Sequence, residues 1–148
     1  MKKSRIFILL AVAVTVFIFT SSMQTAEVSS DASGRLLTLI NKLLSGTSVT
    51  ITHRTLRKLA HFAEFFAQGF FLSLAAVFSI KGMKKHIINI AFAGLLTACT
   101  DELIQTFFDG RSAQIRDIFI DFGGNVTAII LTFLLTIIIR RVRDVRLR

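Results

Sequence analysis

Four long apolar stretches, separated by polar segments, have the lengths of membrane-spanning helices. They cover residues 6–23, 59–80, 87–108 and 118–139. Each of the last three would form about 33 Å of α-helix, close to the roughly 30 Å hydrocarbon core of a bilayer. The pattern predicts an all-α membrane protein, with the four spans packed as an antiparallel bundle in one domain covering residues 1–148.

The first stretch is the shortest and has two interpretations. Its apolar core follows the basic segment MKKSR, a pattern that secretory signal peptides share. The next residues, SSMQTAE, offer only a weak cleavage site at Thr20 and Ser22. We therefore expect a retained first span that continues to Met23, long enough to cross when its flanking residues adapt.

The segment between the first two spans contains a second kind of helix. Its first part is rich in Ser, Thr and Ala and is predicted to be a loop, whereas residues 34–46, GRLLTLINKLLSG, are amphipathic. Ser30, Asp31 or Ser33 could cap this short helix. It would lie on the outer membrane surface or pack on the ends of the spans. Its apolar face comprises Leu36, Leu37, Ile40, Leu43 and Leu44.

The net charge of +9 is distributed unevenly along the chain. Eleven of the 18 Lys and Arg residues lie in residues 2–5, 81–86 and 140–148, with one acid, Asp144. The other segments hold seven Lys and Arg and eight acids. Basic residues are retained on the cytoplasmic side, so we expect both termini and the basic tail 140–148 in the cytoplasm. Topology thus accounts for most of the charge, and no nucleic-acid partner is expected.

Polar residues recur at helical spacing on one face of the second, third and fourth spans. Glu64, Asp101 and Asp121 lie five, seven and three residues inside their outer span ends, which corresponds to depths of about 5–10 Å. Facing lipid, each charge would cost at least about 2–3 kcal/mol, so these residues should face one another inside the bundle. The three faces comprise Arg57, His61, Glu64 and Gln68, then Thr97, Asp101, Glu102 and Gln105, then Asp117, Asp121, Gly124, Asn125 and Ala128.

We therefore expect a polar cluster at the outer end of the bundle. With Asp109 it contains six acids and four bases, which leaves room for a protonated His61, a protonated carboxyl group or a bound cation. The cluster comprises Arg57, Lys58, His61, Glu64, Asp101, Glu102, Gln105, Arg111, Arg116, Asp117 and Asp121.

Two other roles for these residues stay open. Polar side chains can simply hold membrane helices together, as Asp117 would by pairing with Arg111 or Arg116. A metal site is the weaker alternative, because the H-x-x-E spacing differs from H-E-x-x-H and only one histidine is central. No metal or other cofactor is expected, and the weak candidate ligands are His61, Glu64, Asp101 and Asp121.

Two stretches, RKLAHFAEFF and TDELIQTFFDGRSAQIRDIFIDFGGN, resemble the VanZ-like family of bacterial membrane proteins. That family has R-K-x-x-H-x-x-E, then D-E-x-x-Q-x-F-x-P-G-R, then R-D-x-x-x-[ND]-x-x-G. The resemblance extends over roughly residues 15–139, and Asp109 departs from it where the family usually has proline. The matching positions are Arg57, Lys58, His61, Glu64, Asp101, Glu102, Gln105, Phe107, Gly110, Arg111, Arg116, Asp117, Asp121 and Gly124.

The resemblance implies a multi-pass protein of the bacterial plasma membrane, similar to an accessory protein linked to teicoplanin resistance. We expect it to recognise the polar headgroup of a membrane lipid, a lipid-linked cell-wall precursor or a lipoglycopeptide. Arginine and lysine would contact phosphate or carboxylate oxygens, while the acids orient these cations and His61 bridges the two sets.

Two alternatives come from other functional classes. An intramembrane hydrolase or transferase would use His61 and Glu64 as acid and base. A structural or regulatory partner of cell-wall synthesis would need no reaction. A non-enzymatic role is favoured.

Overall fold

The computed structural model describes residues 2–43, 46 and 51–146, without the side chains of residues 26, 30, 32 and 35. Within these ranges the chain is helical, with no β-strand. The helices are α1 (Lys2–Ser22), α2 (Ala26–Leu43), α3 (His53–Val77), α4 (Ile87–Gln105) and α5 (Ile115–Arg146), with a 3₁₀ turn at Met83–Lys85. All but α2 are long and apolar enough to cross a membrane, which confirms the predicted all-α fold with four spans.

The start of α3 and the end of α5 differ from the predicted span boundaries. α3 begins at His53, six residues early, because the Thr52 side chain accepts a hydrogen bond from the Thr55 backbone N–H at 3.2 Å. α5 continues to Arg146, so the described part of the basic tail is helical rather than a separate segment. Favourable interaction of Arg143 and Arg146 with the negative end of the helix supports this extension.

The prediction of a loop before the amphipathic helix is wrong. α2 begins at Ala26, and the Val28 backbone N–H points to the Thr25 hydroxyl at 3.5 Å, so Thr25 takes the capping position. The proposed caps Ser30, Asp31 and Ser33 lie inside the helix. α2 ends at Leu43, and residues 44 and 45 of the predicted helix 34–46 lie outside the described residues.

α2 touches the bundle through polar contacts and leaves much of its apolar face uncovered. The Asn41 side chain accepts from the Ile51 backbone N–H and donates to the Ile51 carbonyl, both at 2.9 Å. Leu36 and Leu43 of that face are at least half exposed, and so is the neighbouring Leu39. This arrangement ties α2 to the start of α3 while leaving apolar side chains for another apolar surface.

α3 is the central helix of the bundle and packs most extensively against α5 and α1. α4 lies against α5 and has smaller contacts with α1 and α3. Contacts near both ends set the directions: Ser4 in α1 donates to the Ala75 carbonyl in α3, whereas Lys58 at the start of α3 pairs with Asp117 at the start of α5. α3 and α5 therefore run parallel to each other and antiparallel to α1. The consecutive hairpins are formed, but α3 packs mainly on helices other than α4.

The three basic segments gather at one end of the bundle. A cavity at that end is lined by Arg5, Lys81 and His86, and a second one by Lys84 and Arg140. The polar cluster occupies the opposite end, where α3 and α5 begin. This grouping agrees with the charge pattern, while the compartment that each end faces stays a prediction.

A close backbone contact joins α5 to α3 at Gly124. A methyl group added at Gly124 would collide with the backbone carbonyl of Phe62 and lie 3.1 Å from the Phe66 nitrogen. The next residue, Asn125, is fully buried between Gly69 of α3 and Gly94 of α4. Small residues thus let three helices approach closely, as is common in membrane bundles.

Replacing Gly124 by alanine should weaken the bundle despite the better helix propensity of alanine. Overpacking typically costs about 1–3 kcal/mol, against a propensity gain of about 1 kcal/mol. Gly123→Ala is the matched control, because its added methyl group would meet only the Phe62 ring at 3.9 Å. We expect a lower melting temperature in detergent for Gly124→Ala alone. Equal melting temperatures for the two variants would contradict the close contact.

Labelling of single cysteines should report the orientation of the bundle. In a Cys99→Ala background, we expect a membrane-impermeant maleimide to label Asp109→Cys in intact cells and Lys84→Cys only after lysis, because basic loops stay cytoplasmic. Both positions are exposed. Cys99→Ala without an added cysteine gives the background, and the opposite labelling pattern would reverse the predicted topology.

Candidate functional site

Three membrane-spanning helices bring one histidine and two aspartates together inside the polar cluster. His61 Nδ1 lies 3.6 Å from Asp101 Oδ2 and 3.8 Å from Asp121 Oδ2. One donor atom from each residue can be chosen so that all three lie within 4.8 Å of one another. His61 is partly buried, and the two aspartates are almost completely buried. We call this group the His–Asp–Asp centre.

Asp101 is held in place by two neutral hydrogen-bond donors. The Ser22 hydroxyl donates to Oδ1 at 2.6 Å, and the Gln105 side-chain amide donates to Oδ2 at 2.9 Å. Ser22 comes from the end of α1 and is fully buried, and it is not among the residues that the sequence assigns to the polar cluster. The signal available was a serine at the end of the first span, at the membrane depth of Asp101.

Asp121 has a very different environment from Asp101. Its side chain is 1% exposed, yet neither carboxylate oxygen accepts a hydrogen bond from any residue in the described part of the chain. His61 Nδ1 is also buried, and it has no hydrogen-bond partner among those residues. Buried polar groups without partners are costly, so these atoms mark a place where a partner from outside the chain would be stabilising.

A narrow cleft leads from the end of the bundle to this centre. Its volume of about 10 Å³ corresponds to one water-sized body. Lys58 at its mouth forms an ion pair with Asp117, in place of the pairing of Asp117 with Arg111 or Arg116 that the sequence suggested. The cleft is lined by Arg57, Lys58, His61, Glu102, Gln105, Asp117, Ile120 and Asp121.

Arg57 is the unpaired cation of this cleft. It is partly buried and makes no hydrogen bond or salt bridge to the residues that the structure describes. Glu102, by contrast, is buried and accepts a hydrogen bond from the Gln114 backbone N–H at 2.7 Å. The cleft therefore combines a guanidinium group that is unpaired within the described residues, at its mouth, with a buried carboxylate that accepts no hydrogen bond from them, at its base.

Arg111 lies on the α1 side of the cluster rather than in the cleft. Gly110, at a left-handed φ of 74°, turns the chain so that Arg111 Nη2 donates to the Ser21 carbonyl at 3.3 Å. Its Nε and Nη1 atoms are buried without partners in the described ranges. Burial lowers the pKa of Arg111, and the Arg57 charge acts in the same direction, but an arginine stays cationic at neutral pH.

The remaining predicted members of the polar cluster do not line the cleft. Glu64 is partly buried, does not line the cleft, and its Oε2 atom has no hydrogen-bond partner in the part that the structure describes. Arg116 and Asp109 are exposed. Deeper in the bundle, the Gln68 amide donates to Thr97 and to Thr15 of α1, at 3.0 and 2.8 Å. The cluster therefore continues into the membrane as a neutral polar network.

A protein-family model described as VanZ/LLP1 matches residues 7–137, which include the polar cluster and most of each of the four membrane-spanning helices. No curated protein and no solved structure matches the chain at a significant level.

Removing the Ser22 hydroxyl should destabilise the bundle through Asp101. A hydrogen bond to a charged group contributes about 1.5–3 kcal/mol, and Ser22→Ala leaves part of a buried carboxylate unsatisfied. We expect Ser22→Ala to melt at a clearly lower temperature in detergent. Ser21→Ala is the control, because only the backbone of Ser21 contacts the cluster. A drop of the same size in both variants would contradict a specific role for Ser22.

Proposed function

The chain belongs to the VanZ/LLP1 family, and from this premise we propose that it binds the anionic headgroup of a lipid-anchored molecule at the polar end of its bundle. The ligand chemistry is a phosphate or carboxylate group joined to an apolar tail. Membrane phospholipids, lipid-linked cell-wall precursors and lipoglycopeptides share this chemistry. Binding would take place at the outer leaflet of a bacterial plasma membrane, if the basic end faces the cytoplasm as its charge favours.

The observation that carries the proposal is the unpaired Arg57 at the mouth of the cleft. A partly buried guanidinium group is stabilised by an anion, and its planar set of donors suits phosphate and carboxylate oxygens. Lys58 is the next residue, but its ammonium group already forms an ion pair with Asp117. Arg57 is thus the cation at this mouth that is free to bind a ligand, among the residues that the structure describes.

The size of the cleft indicates where the headgroup would sit. A volume of about 10 Å³ admits a water-sized body but not a sugar or a complete phosphate ester. The headgroup would therefore rest on the mouth, against Arg57, with its tail along the apolar outer surface of the helices. Phe119, 70% exposed on α5 near the cleft residue Ile120, provides such a surface.

A contribution to teicoplanin-type resistance is the cellular role that we propose for this binding. A protein that occupies the precursor headgroup, or the lipid-tailed drug itself, would lower the amount of drug that reaches its target. Both versions need the same anion site, and a glycopeptide without a lipid tail separates them. Protection against only the tailed drug indicates capture of the drug, and protection against both indicates occupation of the precursor.

The enzyme alternative ranks second. It used His61 and Glu64 as acid and base, but Glu64 is not among the residues that line the cleft. No contact in the described ranges favours a structural partner of the cell-wall machinery over headgroup binding.

Arg57→Gln should reduce binding while the protein still folds, because Arg57 contributes no hydrogen bond or salt bridge within the described part of the chain. We expect at least a tenfold loss of anionic lipid copurified with the protein, measured by mass spectrometry of lipid extracts. We also expect a loss of protection against a lipid-tailed glycopeptide in a sensitive host. Arg116→Gln removes an equal charge from an exposed residue nearby and should have little effect on either measurement.

Membrane abundance and melting temperature serve as controls for both variants. Full lipid binding and full protection in Arg57→Gln at normal abundance would contradict the proposal. Equal losses in Arg57→Gln and Arg116→Gln would point to net charge rather than to a site.

A further inference from the structure

The His–Asp–Asp centre has the composition and spacing of a metal site. Donors bound about 2.1 Å from a tetrahedral ion lie roughly 3.4 Å apart. His61 Nδ1 lies 3.6 and 3.8 Å from the two carboxylates, within a few tenths of an ångström of that spacing, and all three donor atoms lie within 4.8 Å of one another. We propose that His61, Asp101 and Asp121 bind a first-row transition-metal dication, such as Zn²⁺ or Mn²⁺.

Asp121 gives this proposal a basis beyond the clustering of acids. Both of its oxygens are unpartnered although the residue is 1% exposed, and it lies at the base of the cleft. The unpartnered His61 Nδ1 faces the same point. A carboxylate buried without a counter-charge is strongly destabilising, and a metal ion would satisfy both side chains at once.

Asp101 provides the second kind of support, because it is already oriented. Ser22 and Gln105 donate hydrogen bonds to its two oxygens, in the way that outer residues commonly fix metal-binding carboxylates. No Lys or Arg in the described ranges forms a salt bridge with Asp101 or Asp121. In this respect the two aspartates differ from Asp117, which forms an ion pair with Lys58.

The donor set limits the identity of the ion. Mg²⁺ and Ca²⁺ prefer sites made only of oxygen, whereas an imidazole with carboxylates suits Zn²⁺ and Mn²⁺ better. Three protein ligands leave a position open, as in catalytic zinc sites rather than closed structural ones. The cleft reaches Asp121 at its base and has room for one water-sized ligand. If the proposed headgroup binding is also correct, a phosphate oxygen could take that position.

The test measures metal directly and does not depend on any lipid or drug. The protein is purified in detergent, stripped of metal with a chelator and incubated with Zn²⁺ or Mn²⁺ in separate samples. Each sample is then passed through a desalting column, and its metal content is measured by elemental mass spectrometry. We expect one ion per chain and a higher melting temperature with metal than without it. Asp121→Asn and His61→Gln should each reduce the bound metal at least tenfold, whereas Asp109→Asn, on an exposed acid outside the centre, should keep it.

Metal binding by the wild-type protein tests the proposal even if a variant fails to fold. Co²⁺ bound at the centre should give visible absorption bands that excess Zn²⁺ removes. Failure of the wild type to bind either metal would overturn the proposal and leave a shared proton as the way in which the two aspartates coexist. Equal metal content in wild type and a folded Asp121→Asn variant would also overturn it. Either result leaves the Arg57 experiment unaffected.

Discussion

Direct backbone contact between α3 and α5 determines where the charged residues meet. Gly124 lies against the Phe62 carbonyl, and a side chain there would force the two helices apart. Because these helices run parallel, the contact sets His61, the neighbour of Phe62, beside Asp121, which is just under one turn before Gly124. The centre thus depends on the absence of a side chain at one position of α5, a requirement of geometry rather than of charge.

Four acids of the polar cluster have four different environments. Asp117 has an ammonium partner, Glu102 a backbone N–H group, and Asp101 two neutral side-chain donors. Asp121 has no hydrogen-bond donor within the described part of the chain. An acid retained in the core without a donor favours a role in binding over a role in holding helices together, since packing alone would be better served by an apolar residue.

Sequence alone predicted the four spans and the three helical faces, because lipid requires long apolar helices and excludes charges from their outer sides. It missed Ser22, since a hydroxyl at the end of an apolar stretch has no periodic pattern of its own. It also gave the wrong partner for Asp117, because periodicity gives the face of a residue but not the neighbouring helix. The parallel α3–α5 pair, which brings Lys58 to Asp117, depends on the small residues Gly69 and Gly124.

The layer around Asn125 divides the interior of the bundle into two parts. Its side chain fills the space against Gly69 and Gly94, and an apolar core that includes Ile90 and Ile129 lies between this layer and the basic end. The residues that line the cleft lie on the other side of the layer. The His–Asp–Asp centre should therefore exchange protons and ions with a single compartment. Its occupancy would follow the composition of the medium at the polar end and be insensitive to conditions across the membrane.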